Sequence, residues 1–371
     1  MKLLDNIPRI KSPPFFLFKK RYLLPQRPVI LTDLFDGQAI RRITTPRRAR
    51  AALGHLPLAL QVKPRFPYAE LLGPQPKRLL AELGLEQPAR HRQYCSLDEY
   101  LDLVRRSPET TAKCADQPTP AELLELAALP EGYRFNDGSP ADHVSSAIYL
   151  ANRGAVTRLH YDPDGKHALL YQIFGVKRVI LISPRMSKLL MPYSGNGSLL
   201  TLQNMPEAER RRLLEFVGGF GAVLRPGETL YIPPLWWHFM EYESAAMSVN
   251  FRYGWNSANE FIARHLHHNV YSQGLGAKLY EPGRRSQRRA RRVLRRLRGA
   301  YVRAARSPME RYDRIQLTME ELYAEICPEN MQGTCWFPLD RFFTRNEKRR
   351  IAKEKYSAKA LARYLSGSST R

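Results

Sequence analysis

The fold of this 371-residue chain is decided by six short β-type runs: VSSAIYLAN (144–152), LLYQIFG (169–175), VKRVILIS (176–183), GAVLR (221–225), ETLYIP (228–233) and AAMSVNFRYG (245–254). Turn signals such as Asp164-Gly165, Ser183-Pro184 and Pro226-Gly227 separate them. Several short strands at this spacing predict a sandwich or barrel rather than alternating strands and helices. One helix, over Pro206–Phe216, is predicted to interrupt the strands.

Two of these β regions carry residue types that bind metals. His160 and Asp162 are two residues apart in a β context, so their side chains point to the same face of a strand. The run ETLYIPPLWWHF is interpreted as a turn plus a strand that ends with His238. Two imidazoles and one carboxylate leave coordination positions open, and they are the ligand set of non-haem Fe(II) oxygenases. An isolated His-x-Asp pair is more often a structural hydrogen bond; the third histidine on a second strand favours a metal.

Four blocks in this order resemble a known family. VTRLHYD (156–162), YQIFGVKRVILISP (171–184), GETLYIPPLWWH (227–238) and MSVNFRYG (247–254) resemble the JmjC-type, cupin-like Fe(II)/2-oxoglutarate hydroxylases, which include the asparaginyl hydroxylase of hypoxia-inducible factor and bacterial cupin-like proteins. The resemblance covers roughly residues 10–258 and is strongest over 150–255. It implies a mainly β fold with a double-stranded β-helix (jelly-roll) core.

The pattern of residues along the chain predicts three parts. N-terminal α/β and helical elements (1–142) are expected to pack on the core, the double-stranded β-helix itself is expected over 143–258, and a helical, Arg/Lys-rich region is expected over 259–371.

The family's site residues are carried over where the motifs match. His160, Asp162 and His238 match the iron ligands, and Lys177 matches the lysine that pairs with the distal carboxylate of 2-oxoglutarate. Thr157 matches a hydroxyl donor to that carboxylate, and Asn250 matches a polar residue near the co-substrate. The implied cofactors and co-substrates are Fe(II), 2-oxoglutarate and O2. For Lys177, Thr157 and Asn250, the alternative is an ordinary structural or solvated side chain.

The chain also departs from the family pattern. The interval between His160 and Lys177 is two residues longer than in the asparaginyl hydroxylase, and His167 in this enlarged turn is interpreted as an exposed loop histidine. The stretch PETTAKCADQ (108–117) has no tyrosine where the family often places one to hold 2-oxoglutarate. Either Thr110, Thr111 or Lys113 takes that role, or the co-substrate binds more weakly or in a different way. Tyr149 and Tyr171 are strand residues that could also face the pocket, but core packing is favoured for both.

A strong positive charge points to a polyanionic partner. The chain has 59 Lys and Arg against 35 Asp and Glu, a formal net charge of +24. Residues 284–306 contain eleven arginines and no acidic residue, and five apolar residues share one helical face: Val293, Leu294, Leu297, Tyr301 and Val302. A ribosomal protein, a tRNA or another polyanion-associated substrate is therefore favoured. The alternative is a solvated helix that covers the barrel or forms a homodimer contact, as C-terminal helices of relatives often do.

The cysteines and the apolar runs of the sequence restrict the cellular compartment and the kinds of metal site that are expected. The four cysteines include no C-x-x-C pair, so neither a zinc framework nor a disulfide scaffold is predicted. No signal peptide is recognised, and no apolar run approaches the roughly 18 residues that span a bilayer. A cytoplasmic protein is expected.

Three functions remain open at this point. The first is a 2-oxoglutarate-dependent hydroxylase (a dioxygenase) that acts on a protein or an RNA-associated substrate. The second is a small-molecule tailoring hydroxylase with the same site, and the third is a non-catalytic cupin-like binding protein. Hydroxylation and demethylation are both compatible with this residue set.

Overall fold

The computed structural model describes residues 4–62, 91–110, 112–133, 145–162, 166–190, 192–193, 197–198, 200–253, 275, 284–303, 307–326 and 345–359. The strands are β1 (Arg9–Ile10), β2 (Val29–Leu31), β3 (Pro57–Val62), β4 (His91–Ser96), β5 (Lys113–Pro118), β6 (Ser145–Ala151), β7 (Val156–His160), β8 (His167–Phe174), β9 (Lys177–Ile182), β10 (Pro192–Tyr193), β11 (Gly197–Ser198), β12 (Phe220–Leu224), β13 (Thr229–Ile232), β14 (Trp237–Tyr242) and β15 (Ala246–Tyr253). The α-helices are α1 (Phe15–Phe18), α2 (Pro46–Leu53), α3 (Leu97–Arg106), α4 (Ala121–Leu126), α5 (Glu207–Phe216), α6 (Arg284–Arg303), α7 (Pro308–Ile326) and α8 (Arg345–Tyr356).

The strands form two sheets. The larger has the order β1-β2-β13-β8-β15-β6-β5-β3-β4, and the smaller has the order β10-β11-β7-β14-β9-β12. Within them, β13-β8-β15-β6 and β7-β14-β9-β12 are two antiparallel groups of four, and the chain passes repeatedly from one group to the other. This arrangement is a jelly roll, so the predicted double-stranded β-helix core is confirmed.

Strand β8 shows why the core runs are almost continuously apolar. All eight of its residues are buried, because apolar layers cover both faces of the larger sheet. Leu170 packs inside the barrel, with residues such as Leu181 and Leu230 of the neighbouring strands. Leu169 and Tyr171 alternate to the other face and pack in a second core with N-terminal elements.

The N-terminal elements extend and cover the larger sheet. Strand β2, whose three residues are fully buried, pairs with β13, while β5, β3 and β4 extend the opposite edge beyond β6. Helix α3 starts with a capping box in which Ser96 and Glu99 satisfy each other's backbone donors. On the smaller sheet, α5 and the turn Pro184–Leu190 contribute to a third apolar layer.

Helices α6, α7 and α8 form a separate apolar core. Val293, Leu297 and Tyr301 of α6 pack with residues of α7 and with Tyr356 of α8. Val302, which was predicted on the same face, is 40% exposed, so that assignment is wrong. Among the described residues, no helix is both long and apolar enough to cross a lipid bilayer.

Several other expectations can be compared with the structure. The six β runs and the helical insert are confirmed. Helix α4 follows Thr119-Pro120 and begins without a side-chain cap, since Pro120 occupies the cap position. Strands β4 and β5 were not predicted, because their sequences are largely polar. The turn Asp164-Gly165, Thr111 and residues 304–306 lie outside the described residues, and the three-part division of the chain stays a prediction.

Candidate metal centre and co-substrate site

Paired strands bring the three predicted metal ligands together. His160 ends β7 and lies opposite His238 of β14, with ring centroids 4.2 Å apart. Asp162 follows β7 by two residues, and one ligand atom from each residue of this triad lies within 4.8 Å of the other two. Two histidines and a carboxylate at this spacing can hold one divalent transition-metal ion.

The chain reaches His238 by a different path from the one predicted. The strand that contains TLYI ends at Ile232, and His238 is the second residue of β14 rather than the end of that strand. Between the two strands, Leu235 adopts a φ of 62°, a conformation that disfavours a leucine. The flanking Trp236 and Trp237 are buried on opposite sides of the smaller sheet, which holds this strained turn in place.

Both imidazoles are oriented by the backbone two residues before them. The Nδ1 of His160 lies 2.7 Å from the Arg158 carbonyl oxygen, and the Nδ1 of His238 lies 3.0 Å from that of Trp236. A proton on Nδ1 donates to each carbonyl and leaves the Nε2 lone pair available for a metal. Burial, with His160 nearby, lowers the pKa of His238 to about 4, so this ring is neutral at neutral pH.

Asp162 uses its two oxygens differently. Oδ1 is 3.8 Å from the Nε2 of His160, whereas Oδ2 is 3.1 Å from the Nη2 of Arg252. Burial raises the pKa of this carboxyl group, but Arg252 and the two histidines lower it more, to about 2. The carboxylate is therefore charged, with Oδ1 turned toward the histidines. Arg252 was not predicted as a site residue.

Lys177 is fully buried inside the barrel. Its Nζ donates to the Ser248 hydroxyl at 2.6 Å and lies 4.4 Å from the centroid of the Tyr242 ring. No carboxylate of the described residues lies within ion-pair distance of it. Burial lowers the pKa of the amine to about 7. The interpretation of Lys177 as a solvated strand lysine is therefore excluded, and its charge is unpaired by any described acidic group.

A row of polar side chains on β15 connects the lysine to the triad. Ser248, Asn250 and Arg252 alternate along the strand and so share its inner face, because Asn250 pairs with Leu170 of the barrel interior. Ser248 contacts Lys177 and Arg252 contacts Asp162, so the row spans about 13 Å. The buried Oδ1 of Asn250 has no hydrogen-bond partner in the described part of the chain. Such an atom is costly unless a ligand satisfies it.

A β-bulge determines where Thr157 lies. Thr157 and His160 are three residues apart, so simple alternation would put them on opposite faces of β7. The register with β14 pairs His160 with His238 and Thr157 with Met240, which leaves an extra residue in β7. Thr157 therefore returns to the face of Met240, inside the barrel.

Tyr149 is on the barrel side of β6. It lies opposite Ser248, and its hydroxyl donates to Asp116, whose φ is 56°. Burial first, then the charges of Asp116 and Asp162, raise the pKa of Tyr149 well above its usual range. The assignment to core packing is therefore wrong for Tyr149, whereas Tyr171 is fully buried in the outer apolar layer as predicted.

The alternatives for the missing tyrosine contact other groups. The Nζ of Lys113 donates to the carbonyl oxygen of Val156 at 3.3 Å, and the Thr110 hydroxyl accepts from the backbone N–H of Ala112. Tyr149 thus brings an aromatic hydroxyl to this side of the site, in addition to Tyr242, whose ring lies against Lys177. Its position could have been inferred from its alternation with Ile148 and Leu150, which are apolar and face outward.

His167 is not an exposed loop histidine. It is the first residue of β8 and is 4% exposed, stacked between the rings of Tyr231 and Tyr253. Its Nδ1 lies 2.9 Å from the Tyr231 hydroxyl, and burial lowers its pKa to about 3. This histidine belongs to the outer apolar layer and is remote from the triad's face of the sheet.

Comparison with known proteins agrees with this architecture. The model of the cupin-like domain family matches residues 16–259, which is more than half of the chain. This segment contains every strand of the barrel and every residue of the candidate site.

The chain is similar to proteins named for a JmjC domain, for lysine demethylation or for tRNA wybutosine synthesis. The chain is 32% identical over 133 residues to Jumonji C domain-containing protein 5 of Drosophila melanogaster, covering 35% of this chain and 32% of that protein. It is 32% identical over 143 residues to lysine-specific demethylase JMJ30 of Arabidopsis thaliana (38% and 32%). It is 31% identical over 106 residues to tRNA wybutosine-synthesizing protein 5 of Homo sapiens (29% and 33%). These matches span about a third of each relative.

Proposed function

The chain belongs to the cupin-like domain family of JmjC type, and we propose that it is an Fe(II)- and 2-oxoglutarate-dependent oxygenase that hydroxylates a protein or an RNA-associated substrate. The observation that carries this proposal is the shared interior face of His160, Asp162, His238 and Lys177. A metal-binding triad needs a divalent cation, and a buried lysine without an acidic partner needs an anion.

The donor set fits the proposed cofactor and co-substrate. In this proposal His160, His238 and Asp162 hold Fe(II), since their Nε2 and Oδ1 atoms converge and their remaining polar atoms are already satisfied. Lys177 binds the distal carboxylate of 2-oxoglutarate, which would pair its buried charge. Asn250 and Thr157 are assigned to the same co-substrate as amide N–H and hydroxyl donors. The unpaired Oδ1 of Asn250 accepts hydrogen bonds, so it would bind a donor such as water rather than a carboxylate of 2-oxoglutarate.

When bound, Fe(II) together with 2-oxoglutarate and O2 supplies the oxidising chemistry, and the chain supplies position, charge and exclusion of water. Arg252 keeps Oδ2 of Asp162 occupied, so that Oδ1 stays directed to the metal position. Leu170, Leu181 and Met240 line the interior between Lys177 and the triad and exclude water from it. In a dry interior the lysine–carboxylate attraction is stronger than in water.

Product analysis tests the reaction. Extracted cellular proteins and RNA are incubated with the full chain, Fe(II), 2-oxoglutarate and ascorbate, and intact-mass spectra are searched for species that gain one oxygen atom. The proposal predicts such a product with the wild type and none with His238→Ala. If no species gains oxygen and 2-oxoglutarate is not consumed, the protein is a cupin-like binding protein rather than an oxygenase.

N-demethylation is a second candidate, because the similar protein JMJ30 of Arabidopsis thaliana is named a lysine-specific demethylase. Hydroxylation of an N-methyl group would give an unstable product that releases formaldehyde. Formaldehyde in stoichiometric yield with succinate would favour demethylation, whereas a stable added oxygen without formaldehyde would favour hydroxylation. If the substrate is a small molecule, the low-molecular-weight fraction of the cell extract alone should support conversion of 2-oxoglutarate to succinate.

A further inference from the structure

Four exposed arginines form a stripe along α6. Arg288, Arg291, Arg295 and Arg298 are separated by three, four and three residues, so they lie on one side of the helix. The stripe extends over about 15 Å of the helix axis. These four residues are called the arginine stripe.

The opposite side of the helix fixes how the stripe is presented. Val293, Leu297 and Tyr301 are fully buried against the other C-terminal helices. Because these residues lie on the far side of the helix from the stripe, packing directs the four guanidinium groups outward. The helix therefore cannot rotate to bury the stripe without exposing its apolar face.

Neighbouring arginines of α6 have partners within the chain. Arg292 donates to Glu325, and Arg296 donates to Glu321 and Glu325 of α7, with N···O distances of 2.5–3.0 Å. By contrast, no carboxylate among the described residues lies within ion-pair distance of any guanidinium of the arginine stripe. Like charges at spacings of three and four residues repel one another. The chain thus neutralises one side of α6 and leaves the other side positive.

We propose that the arginine stripe binds the phosphate backbone of a nucleic acid. Guanidinium groups present forked donors that match phosphate oxygens, and a row of them can follow successive phosphates of one strand. An anionic membrane fits less well, since a membrane-surface helix inserts its apolar face, and here that face is buried in the helical core. Among the described residues of α6, the exposed apolar side chain beside the stripe is Val302, whose area is too small for membrane insertion.

This surface goes beyond the proposed hydroxylation. Binding through the stripe requires neither Fe(II) nor 2-oxoglutarate. A nucleic-acid binding assay therefore tests the stripe alone, and a 2-oxoglutarate turnover assay tests the oxygenase proposal alone. Loss of nucleic-acid binding would leave the oxygenase proposal intact, and loss of turnover would leave the stripe intact.

The experiment uses the full chain and a variant in which all four stripe arginines are replaced by glutamine. Fluorescence anisotropy measures the Kd for a folded, tRNA-sized RNA and for duplex DNA of equal length, and flotation measures binding to phosphatidylserine vesicles. We expect the variant to raise the nucleic-acid Kd on the order of 100-fold at moderate salt. The slope of log K against log salt should become shallower by roughly three to four.

A charge-matched control separates a local surface from the general field of the molecule. Arg47, Arg106, Arg185 and Arg212 are exposed and lie on other elements, and their replacement by glutamine removes the same four charges. The control should keep nearly wild-type affinity. Equal weakening of both variants would overturn the stripe proposal, because net charge alone would then explain binding.

The remaining outcomes also decide the question. Stronger binding of RNA than of DNA, or equal binding of both, supports the proposal and identifies the source of the phosphates. Binding to vesicles with no binding to either nucleic acid overturns it. If the fourfold variant unfolds at a lower temperature, Arg291→Gln and Arg295→Gln are measured singly, and each should reduce the salt slope by about one.

Discussion

Lys177 lies inside the barrel with none of its side chain exposed, whereas Arg291 and Arg295 project from α6 into solvent. Both regions carry positive charge without a described acidic partner. In the barrel, the cation is held by one hydroxyl and one aromatic ring. On the helix, a row of cations is held by an apolar face on the other side.

This difference in burial determines which kind of anion each cationic region can bind. A buried lysine is dehydrated, so a single carboxylate in the right place binds it strongly and salt screens it little. Exposed arginines gain little from any one anion, but several together bind a polyanion in a salt-dependent way. In our proposals, this chain of net charge +24 binds one small dicarboxylate with its buried lysine and a phosphate chain with its exposed arginines.

The largest expected effect is on the metal. His160→Ala or Asp162→Ala should raise the Kd for Fe(II) by on the order of 10³-fold, because each removes one of three ligands. Metal content after dialysis against limiting Fe(II) measures this. The control is His55→Ala, since His55 is exposed and pairs with Glu122 away from the barrel strands. Unchanged metal content in both ligand variants would show that the triad does not bind the metal.

The second-largest effect is expected at Lys177, and it distinguishes this buried lysine from the arginine stripe. Lys177→Met should raise the KM for 2-oxoglutarate by about 10- to 100-fold, since one charge-assisted contact is lost. Its metal content and nucleic-acid affinity should match the wild type. The arginine-stripe variant should show the reverse pattern, with normal 2-oxoglutarate KM. A change of nucleic-acid affinity in Lys177→Met would contradict the separation of the two sites.

Stability should depend on pH through the buried lysine. Because burial lowers the pKa of Lys177 from 10.5 to about 7, the unfolded chain binds more protons than the folded chain between these values. The free energy of unfolding of the ligand-free wild type, relative to Lys177→Met, should therefore rise with pH above 7 and approach about 1.4 kcal/mol per pH unit between roughly pH 8 and pH 9.5. Denaturant titrations at several pH values measure it. A flat difference would mean that the amine is not desolvated.

The smallest effect is expected at the stripe. Replacing its four arginines by glutamine should change the free energy of unfolding by no more than about 0.5 kcal/mol per residue, because the side chains are exposed and unpaired within the described chain. Leu297→Ala on the opposite face of the same helix should cost about 2–5 kcal/mol. Thermal unfolding by circular dichroism compares them, and equal destabilisation would contradict the assigned helix orientation.

Much of the barrel could be predicted from the sequence because its strands are buried on both faces. Runs such as LLYQIFG are apolar enough to be recognised without any tertiary information. Strand β5 could not be recognised, since Lys113 and Gln117 make it polar and its pairing with β3 and β6 defines it. His167 was misjudged for a related reason: its burial depends on Tyr231 and Tyr253, which come from strands distant in sequence.

The candidate site was predictable where it follows regular alternation. His160 and Asp162 follow directly from spacing, and Arg252 could have been found as the next inward residue after Asn250. Thr157 could not be placed by spacing, because the β-bulge in β7 changes the alternation and leaves no clear mark in the sequence.

The most direct test of the central claim is the conversion of 2-oxoglutarate to succinate by the purified full chain. The account predicts succinate formation that requires Fe(II) and O2, that is abolished in Asp162→Ala, and that is retained in His55→Ala. It also predicts that 50 mM and 200 mM salt give similar rates, since the interacting charges are buried, while nucleic-acid binding weakens on the order of tenfold or more. Equal succinate formation by the wild type and Asp162→Ala, or none by either, would contradict it.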